Sequence, residues 1–184
     1  MKEVKIDLEV ITPMFLHGAN SIKAELRSPS IKGVMRYWWR AAKSEDDIDK
    51  LKKEEACIFG STDKRSKVSI IVSQRPDLNQ IRTGLRFDTN TGLGYLFPPV
   101  FIGGTSSLEP KQYFDVGTKF SITISAQKNN IEQLKHAVAS VWLMTFFGGL
   151  GARSRRGGGN LMASSIDGIS ELGIQLNFIT NTFK

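Results

Sequence analysis

The stretch KFSITISAQKNNIEQLKHAVASVWLMTFFGG, residues 119–149, holds the strand and the helix from which the fold is read. Phe120, Ile122, Ile124 and Ala126 alternate with Ser121, Thr123 and Ser125, the period of two expected of a strand with one buried face. After Asn129-Asn130 the period lengthens, and Ile131, Leu134, Val138, Val141, Trp142 and Thr145 fall along one side of a helix that reaches about Phe147. Gly148-Gly149 ends it, because glycine enters the left-handed geometry of a helix terminus without a Cβ penalty.

Upstream, residues 3–11 (EVKIDLEVI) place Val4, Ile6, Leu8 and Val10 on one face of a first strand, closed by Thr12-Pro13. Ser30, in Ser28-Pro29-Ser30, is expected to cap a helix over 31–43 whose Ile31, Met35, Trp38 and Ala42 face the core. Lys32, Arg36, Arg40 and Lys43 form a basic stripe on another face of that helix. A second helical piece over 46–59 opens on Asp46, Asp47 and Asp49, where acids suit the positive end of the helix dipole. Val68, Ile70 and Val72 suggest another strand. Residues 76–112 carry four prolines and five glycines and read as a loop-rich insertion with a short strand near 93–97. A last strand is expected over 171–179. The order strand, helix, strand, strand, helix, strand predicts an α+β, ferredoxin-like βαββαβ fold: a four-stranded antiparallel sheet with both helices on one face. Neither an internal repeat nor an interdomain linker interrupts residues 1–184, so a single domain is expected.

Composition narrows the class of protein. Hydrophobic residues make up 40% of the 184 and charged residues 23%, enough for a core without disulfides or metal. The longest uncharged apolar stretch, 137–150, is interrupted by Ser140 and Thr145 and falls short of a membrane span. The N-terminus shows no secretory signal. The single cysteine, Cys57, reads as a buried thiol with no partner, and an intracellular, cytoplasmic setting is expected. Twenty-five Lys and Arg against eighteen Asp and Glu give +7, which favours a polyanionic partner.

The densest unusual segment is GGLGARSRRGGG, residues 148–159, with six of the seventeen glycines and Arg153, Arg155 and Arg156. Glycines there would let a backbone pass close to a ligand and turn N–H groups toward an anion, and the arginines offer forked donors that match phosphate. A solvated hairpin is the plainer reading of the same composition. Neither GxxxxGK[ST] nor GxGxxG occurs, so a long polyanion fits better than a mononucleotide. At the start of the 31–43 helix, Ser30 and Lys32 sit where unpaired N–H groups gather, and Gly33 invites either a backbone contact or tight packing. Tyr37, Trp38, Trp39, Phe146 and Phe147 read mainly as packing, and no aromatic strand motif of the RRM kind is present. His17, in the loop after the first strand, is a candidate general base; His136 reads as structural or solvent-facing. No cluster of metal ligands is legible, and no cofactor is expected.

TPMFLHGA (12–19), RSPSIKGVMRYWWRA (27–41) and FFGGLGARSRRGGGNL (146–161) together resemble the RAMP proteins of CRISPR systems. Within them the resemblance is closest to the first RAMP subunit of the type III-B (Cmr) effector. The resemblance implies a ferredoxin-like fold and a non-catalytic, RNA-binding role in a multisubunit interference complex, near the 3′ part of the CRISPR RNA. The implied partners are CRISPR RNA, target single-stranded RNA and other RAMP subunits. Ser30, Lys32, Gly33 and Arg36, with Arg40 of the same stripe, would belong to the helix that contacts RNA backbone. Gly149, Gly151, Arg153, Ser154, Arg155, Arg156 and Gly157 would form the RAMP glycine-rich loop. The chain departs from the family in having Gly158 where an aromatic is usual, and members are often longer, with a second ferredoxin-like half. Two other readings remain: a metal-independent endoribonuclease that processes CRISPR RNA with His17 as base, and a subunit serving assembly alone.

Overall fold

The alternations over 3–11 and 119–126 become the two central strands of one sheet. In the computed structural model, which describes residues 1–85, Gly92, Phe97 and 109–172, the order is β1 (Lys2–Val10), α1 (Ser28–Lys43), α2 (Ile48–Phe59), β2 (Val68–Gln74), β3 (Ile81–Thr83), β4 (Gln112–Phe114), β5 (Lys119–Ala126), α3 (Ile131–Phe147) and β6 (Leu161–Asp167). β1 lies antiparallel to both β5 and β6, and β5 antiparallel to β2, in the order β2-β5-β1-β6. This is the split βαβ arrangement expected of a ferredoxin-like domain. Val4, Ile6, Leu8, Val10, Phe120, Ile122 and Ile124 are all buried under the helices. The other face is polar: the Asp7 carboxylate accepts hydrogen bonds from Ser121 at 2.5 Å and Ser165 at 2.6 Å.

Several boundaries differ from expectation for identifiable reasons. α1 begins at Ser28, with extended Arg27 as its N-cap, so Ser30 is not the cap. Pro29 belongs in a first turn, where its fixed φ fits and its missing N–H would be unpaired anyway. Ile31, Met35 and Trp39 form the buried i, i+4, i+8 row, which puts Trp38 on the flank. α2 starts at Ile48, with the Asp47 carboxylate accepting from the N–H groups of Asp49 and Lys50. In α3, Ala137, Ala139 and Met144 join Leu134, Val138 and Val141 in the core, while Trp142 and Thr145 stay half-buried. Cys57 is half-buried rather than buried.

The fourth strand of the sheet among the described residues is β6, directly after the glycine-rich loop. Only Leu161 is buried in it, so LMASSID gives no alternation to read. Ser170–Leu172 form a short 3-10 turn, and the rest of the expected 171–179 strand lies outside the described residues. The expected 93–97 strand also lies outside them, apart from Phe97. The insertion does contribute β3, which pairs with β4, and Phe97, which packs with Phe15 and Tyr113 in a small aromatic cluster. No helix among the described residues is long and apolar enough to cross a membrane.

α1 and α3 meet where Trp39 Nε1 donates to His136 Nδ1 at 3.4 Å, with the rings edge-to-face at 6.2 Å. Burial holds the imidazole below the usual histidine range. A folded-state pKa below the unfolded one means that the stability is fully present above about pH 6.5 and declines as pH falls through the folded value. The thermal midpoint is expected to drop between about pH 7 and pH 5. His17, which burial also lowers, contributes with the same sign. In His136→Gln the midpoint should depend measurably less on pH across that range; an unchanged profile would show that this contact does not set the acid limb.

Candidate nucleic-acid interface

The glycine-rich loop is clamped onto the segment that leaves β1. Leu150 N–H donates to the Gly159 carbonyl at 2.9 Å, Ala152 N–H to Phe15 at 2.8 Å and Gly159 N–H to Pro13 at 3.1 Å. Thr12 Oγ1 donates to the Gly157 carbonyl at 2.7 Å and accepts from Asn160 N–H at 2.9 Å. A Cβ at Gly151 would run into the Phe15 carbonyl, and one at Gly149 into that of Gly159; Gly151 also holds φ +87°. These glycines therefore let the chain approach its own backbone, where the sequence suggested approach to a ligand. The N–H groups of Leu150 and Ala152 are spent on internal carbonyls and are not available to an anion.

What remains for a ligand is the tip. Arg153 sits at φ 61°, and its carbonyl accepts from both Arg156 and Gly158 N–H, folding 153–158 into a tight turn. The N–H groups of Ser154, Arg155 and Gly157 make no hydrogen bond among the described residues. Arg155 and Arg156 are exposed and Arg153 half-buried, and none of the three pairs with a carboxylate among the described residues. Arg155 lies over the Tyr37 ring at 5.1 Å, which joins the loop to α1. At Gly158 a Cβ would stand 3.2 Å from the ring of Phe97 and 2.8 Å from the Ala152 carbonyl. An aromatic ring from the insertion thus already packs against the position where the family pattern has one.

The basic stripe of α1 divides into two parts. Arg36 Nη1 and Arg40 Nη1 reach the two oxygens of Glu55 on α2 at 3.3 Å and 3.0 Å, and Glu55 is only 7% exposed. Arg36 also donates to the carbonyls of Phe59 and Gly60 at 2.8 Å and 2.7 Å, closing the C-terminus of α2. Both arginines hold α2 against α1, so the stripe is not a freely solvated face. Lys43 pairs with Glu54 at 2.9 Å. Lys32 is different: it lines a cleft of about 680 Å³ with Ser28, Arg65, Lys67, Ser69 and Asn130, and has no acidic partner among the described residues. Burial and then Arg36 lower the pKa of its ammonium. Ser30 does not line the cleft. Gly33 is exposed, with nothing within 4 Å of where its Cβ would be, so tight packing does not account for it. Sequence reading missed Glu55, Arg65 and Lys67. Glu55 lies on the inward side of the predicted 46–59 helix, the one available signal for it.

His17 Nε2 lies 2.8 Å from the Gln112 carbonyl oxygen, and the residue bridges to Ala24. A carbonyl only accepts, so Nε2 carries the proton and the ring staples its loop to β4. Among the described residues no group of three or more His, Cys, Asp or Glu could hold a metal ion.

The sequence matches the RAMP superfamily over residues 7–161. It is 35% identical over 183 residues to the CRISPR system Cmr subunit Cmr1-2 of Pyrococcus furiosus, covering 88% of this chain and 95% of that protein. It is 33% identical over 159 residues to Cmr1-1 of the same organism, covering 84% of this chain and 46% of that protein. The crystal structure of apo Cmr1 from Pyrococcus furiosus superposes with a TM-score of 0.73 at 29% identity, over 95% of this chain and 54% of that one. A chain of the type III-B Cmr-beta complex bound to cognate target RNA shares the fold, with a TM-score of 0.60 at 16% identity over 97% of this chain and 56% of that one. The chain thus spans nearly all of one relative and about half of the others.

The Glu55 node predicts an order of stability losses. Arg36→Ala removes one ion-pair arm and two carbonyl contacts and should cost about 2 kcal/mol in urea unfolding. Arg40→Ala, at a half-exposed position, should cost less than about 1 kcal/mol. Equal losses would mean that the α2 carbonyls contribute nothing.

Proposed function

The chain belongs to the RAMP superfamily, among relatives that include Cmr1-type subunits, and from that membership we propose a non-catalytic, RNA-binding subunit of a type III-B CRISPR effector complex. Its partners are CRISPR RNA, target single-stranded RNA and other RAMP subunits, and its place is near the 3′ part of the guide. The observation that carries the RNA contact is the loop tip: Arg153, Arg155 and Arg156 without acidic partners among the described residues, on a backbone fixed by the clamp to residues 12–15. Phosphate contacts of this kind position an RNA without reading its sequence. Lys32, with Arg65 and Lys67 in the cleft beside the start of α1, supplies a second cationic surface. Arg36 and Arg40 act by holding α1 to α2. The cleavage reading draws no support from His17, whose ring is engaged with Gln112.

Anisotropy titrations of the purified chain with labelled single-stranded RNA, in chelator and at several salt concentrations, test this. Log affinity should fall linearly with log salt, with a slope of about 0.7 per phosphate neutralised, and the Arg153→Ala, Arg155→Ala, Arg156→Ala triple variant should be shallower by about 2. An unchanged slope would remove the loop from the interface. The RNA should stay intact on denaturing gels. Discrete fragments that vanish in His17→Ala would make the chain a nuclease.

Gly33→Ala gives a signed test of the α1 surface. The substitution should stabilise the free protein by up to about 1 kcal/mol, because alanine favours helix and the site is open. If RNA backbone approaches there, affinity should fall as stability rises; both rising together would exclude Gly33 from contact.

A further inference from the structure

Five aromatic rings from two helices meet at the foot of the arginine loop. Trp142 and Phe146 of α3 stack with centroids 4.3 Å apart and planes at 28°. Phe147 lies edge-on to Trp142 at 6.1 Å and tilted against Trp38 of α1 at 6.1 Å, and Trp38 in turn meets Tyr37 edge-on at 5.4 Å. Gly148 lets the chain leave α3 against the Trp38 indole, where a Cβ would stand 2.7 Å from Nε1. Phe146 and Phe147 are 67% and 62% exposed. The same helix buries Val141 and Met144, so the core does not need the two phenylalanines.

The charge around these rings selects what can cover them. Residues 141–161 contain no acidic side chain, and the Arg155 guanidinium covers the Tyr37 ring at 5.1 Å with Nη1 3.3 Å from the hydroxyl. Arg153 and Arg156 flank it in the same turn. A partner must therefore bring flat apolar faces and negative charge together, at a spacing that lets one segment touch both loop and rings. Nucleobases on a phosphodiester strand do so, and alternating aromatic and cationic contacts are how single strands are held without sequence preference. On the open face of the sheet Lys5 and Lys119 are already paired with Asp7 and Glu9.

We infer that Phe146 and Phe147 form a stacking ledge for bases of single-stranded RNA whose phosphates lie on Arg153, Arg155 and Arg156, an inference that rests on the RNA-binding reading above. Phe146 presents to solvent the face turned away from Trp142, and Phe147 continues the ledge toward Trp38.

The test compares oligoadenylate with an abasic phosphodiester oligomer of equal length, by anisotropy, on four proteins. These are the unmodified chain, the Phe146→Ala/Phe147→Ala and Phe146→Tyr/Phe147→Tyr double variants, and the triple arginine variant. The unmodified chain should prefer oligoadenylate by roughly tenfold per stacked base. The alanine pair should lose that preference while keeping abasic affinity and salt slope; the tyrosine pair should keep the preference. The arginine variant should weaken both ligands and flatten both slopes. Equal binding of the two ligands by the unmodified chain, with a normal salt slope, overturns the ledge and leaves the phosphate contacts standing. An alanine pair that keeps the base preference but loses self-association in sedimentation makes the rings a protein-docking surface. Failure to bind either oligomer overturns the RNA reading and the ledge with it.

Discussion

The architecture around the candidate site depends on the close approach of two backbones, residues 12–15 and 149–159. Side chains at Gly149, Gly151 or Gly159 would place a Cβ inside a neighbouring carbonyl. The approach joins the exit of β1, the end of α3 and the start of β6. It also seats Ala152 on Phe15, and through Phe15 on Phe97 of the insertion and Tyr113 of β4, with rings 5.4 Å and 5.1 Å from that of Phe15. The glycines thus act on the chain itself, and the arginines they frame are carried on a turn with little freedom to move. Preorganisation of that kind reduces the entropy lost when a flexible ligand binds.

Charge is distributed by the same economy. The net charge of +7 says that a polyanion is welcome but not where. Glu55 resolves part of this by pairing with both Arg36 and Arg40, of which Arg36 also holds the α2 carbonyls of Phe59 and Gly60. A carboxylate so little exposed would be costly unpaired, which fixes both arginines in an internal role. Among the cations without an acidic partner among the described residues, two sets cluster: the loop tip, and Lys32, Arg65 and Lys67 in the cleft. No loop residue lines the cleft, so a strand touching both would have to follow α1.

Strict alternation made β1, β2 and β5 legible, and the long helix was equally clear, because burial of one face imposes a period that residues 3–11, 68–72 and 119–126 obey. β6 was not legible: an edge strand with a single buried residue imposes no pattern on LMASSID. The β3 and β4 strands are three residues each, too short for a period. The start of α1 was misread because Ser30 is a good cap by chemistry, while Pro29 at the first turn decides the matter sterically. At the site, the arginine loop and its position were readable, whereas the use of its glycines was not. A glycine that admits a ligand and one that admits the chain's own carbonyl look the same in sequence. Partners distant along the chain, such as Arg36 with Glu55, were invisible for the same reason: pairing is a property of packing.

The placement of the aromatic rings follows from these constraints. Tyr37 and Trp38 immediately precede the buried Trp39, and Phe146 and Phe147 immediately follow the last buried turn of α3. Tyr37, Phe146 and Phe147 stay exposed, while Trp38, three residues after the buried Met35, lies half-buried against the core. A helix end that only had to stop could have done so in polar residues before Gly148, yet this one ends in two phenylalanines against a loop of arginines. Exposed rings of this size are costly in water and favour association unless a ligand covers them. Their position beside guanidiniums that meet no carboxylate among the described residues, and away from the acids of the sheet face, makes an anionic ligand with planar faces the occupant that satisfies both the apolar and the electrostatic requirement at one place.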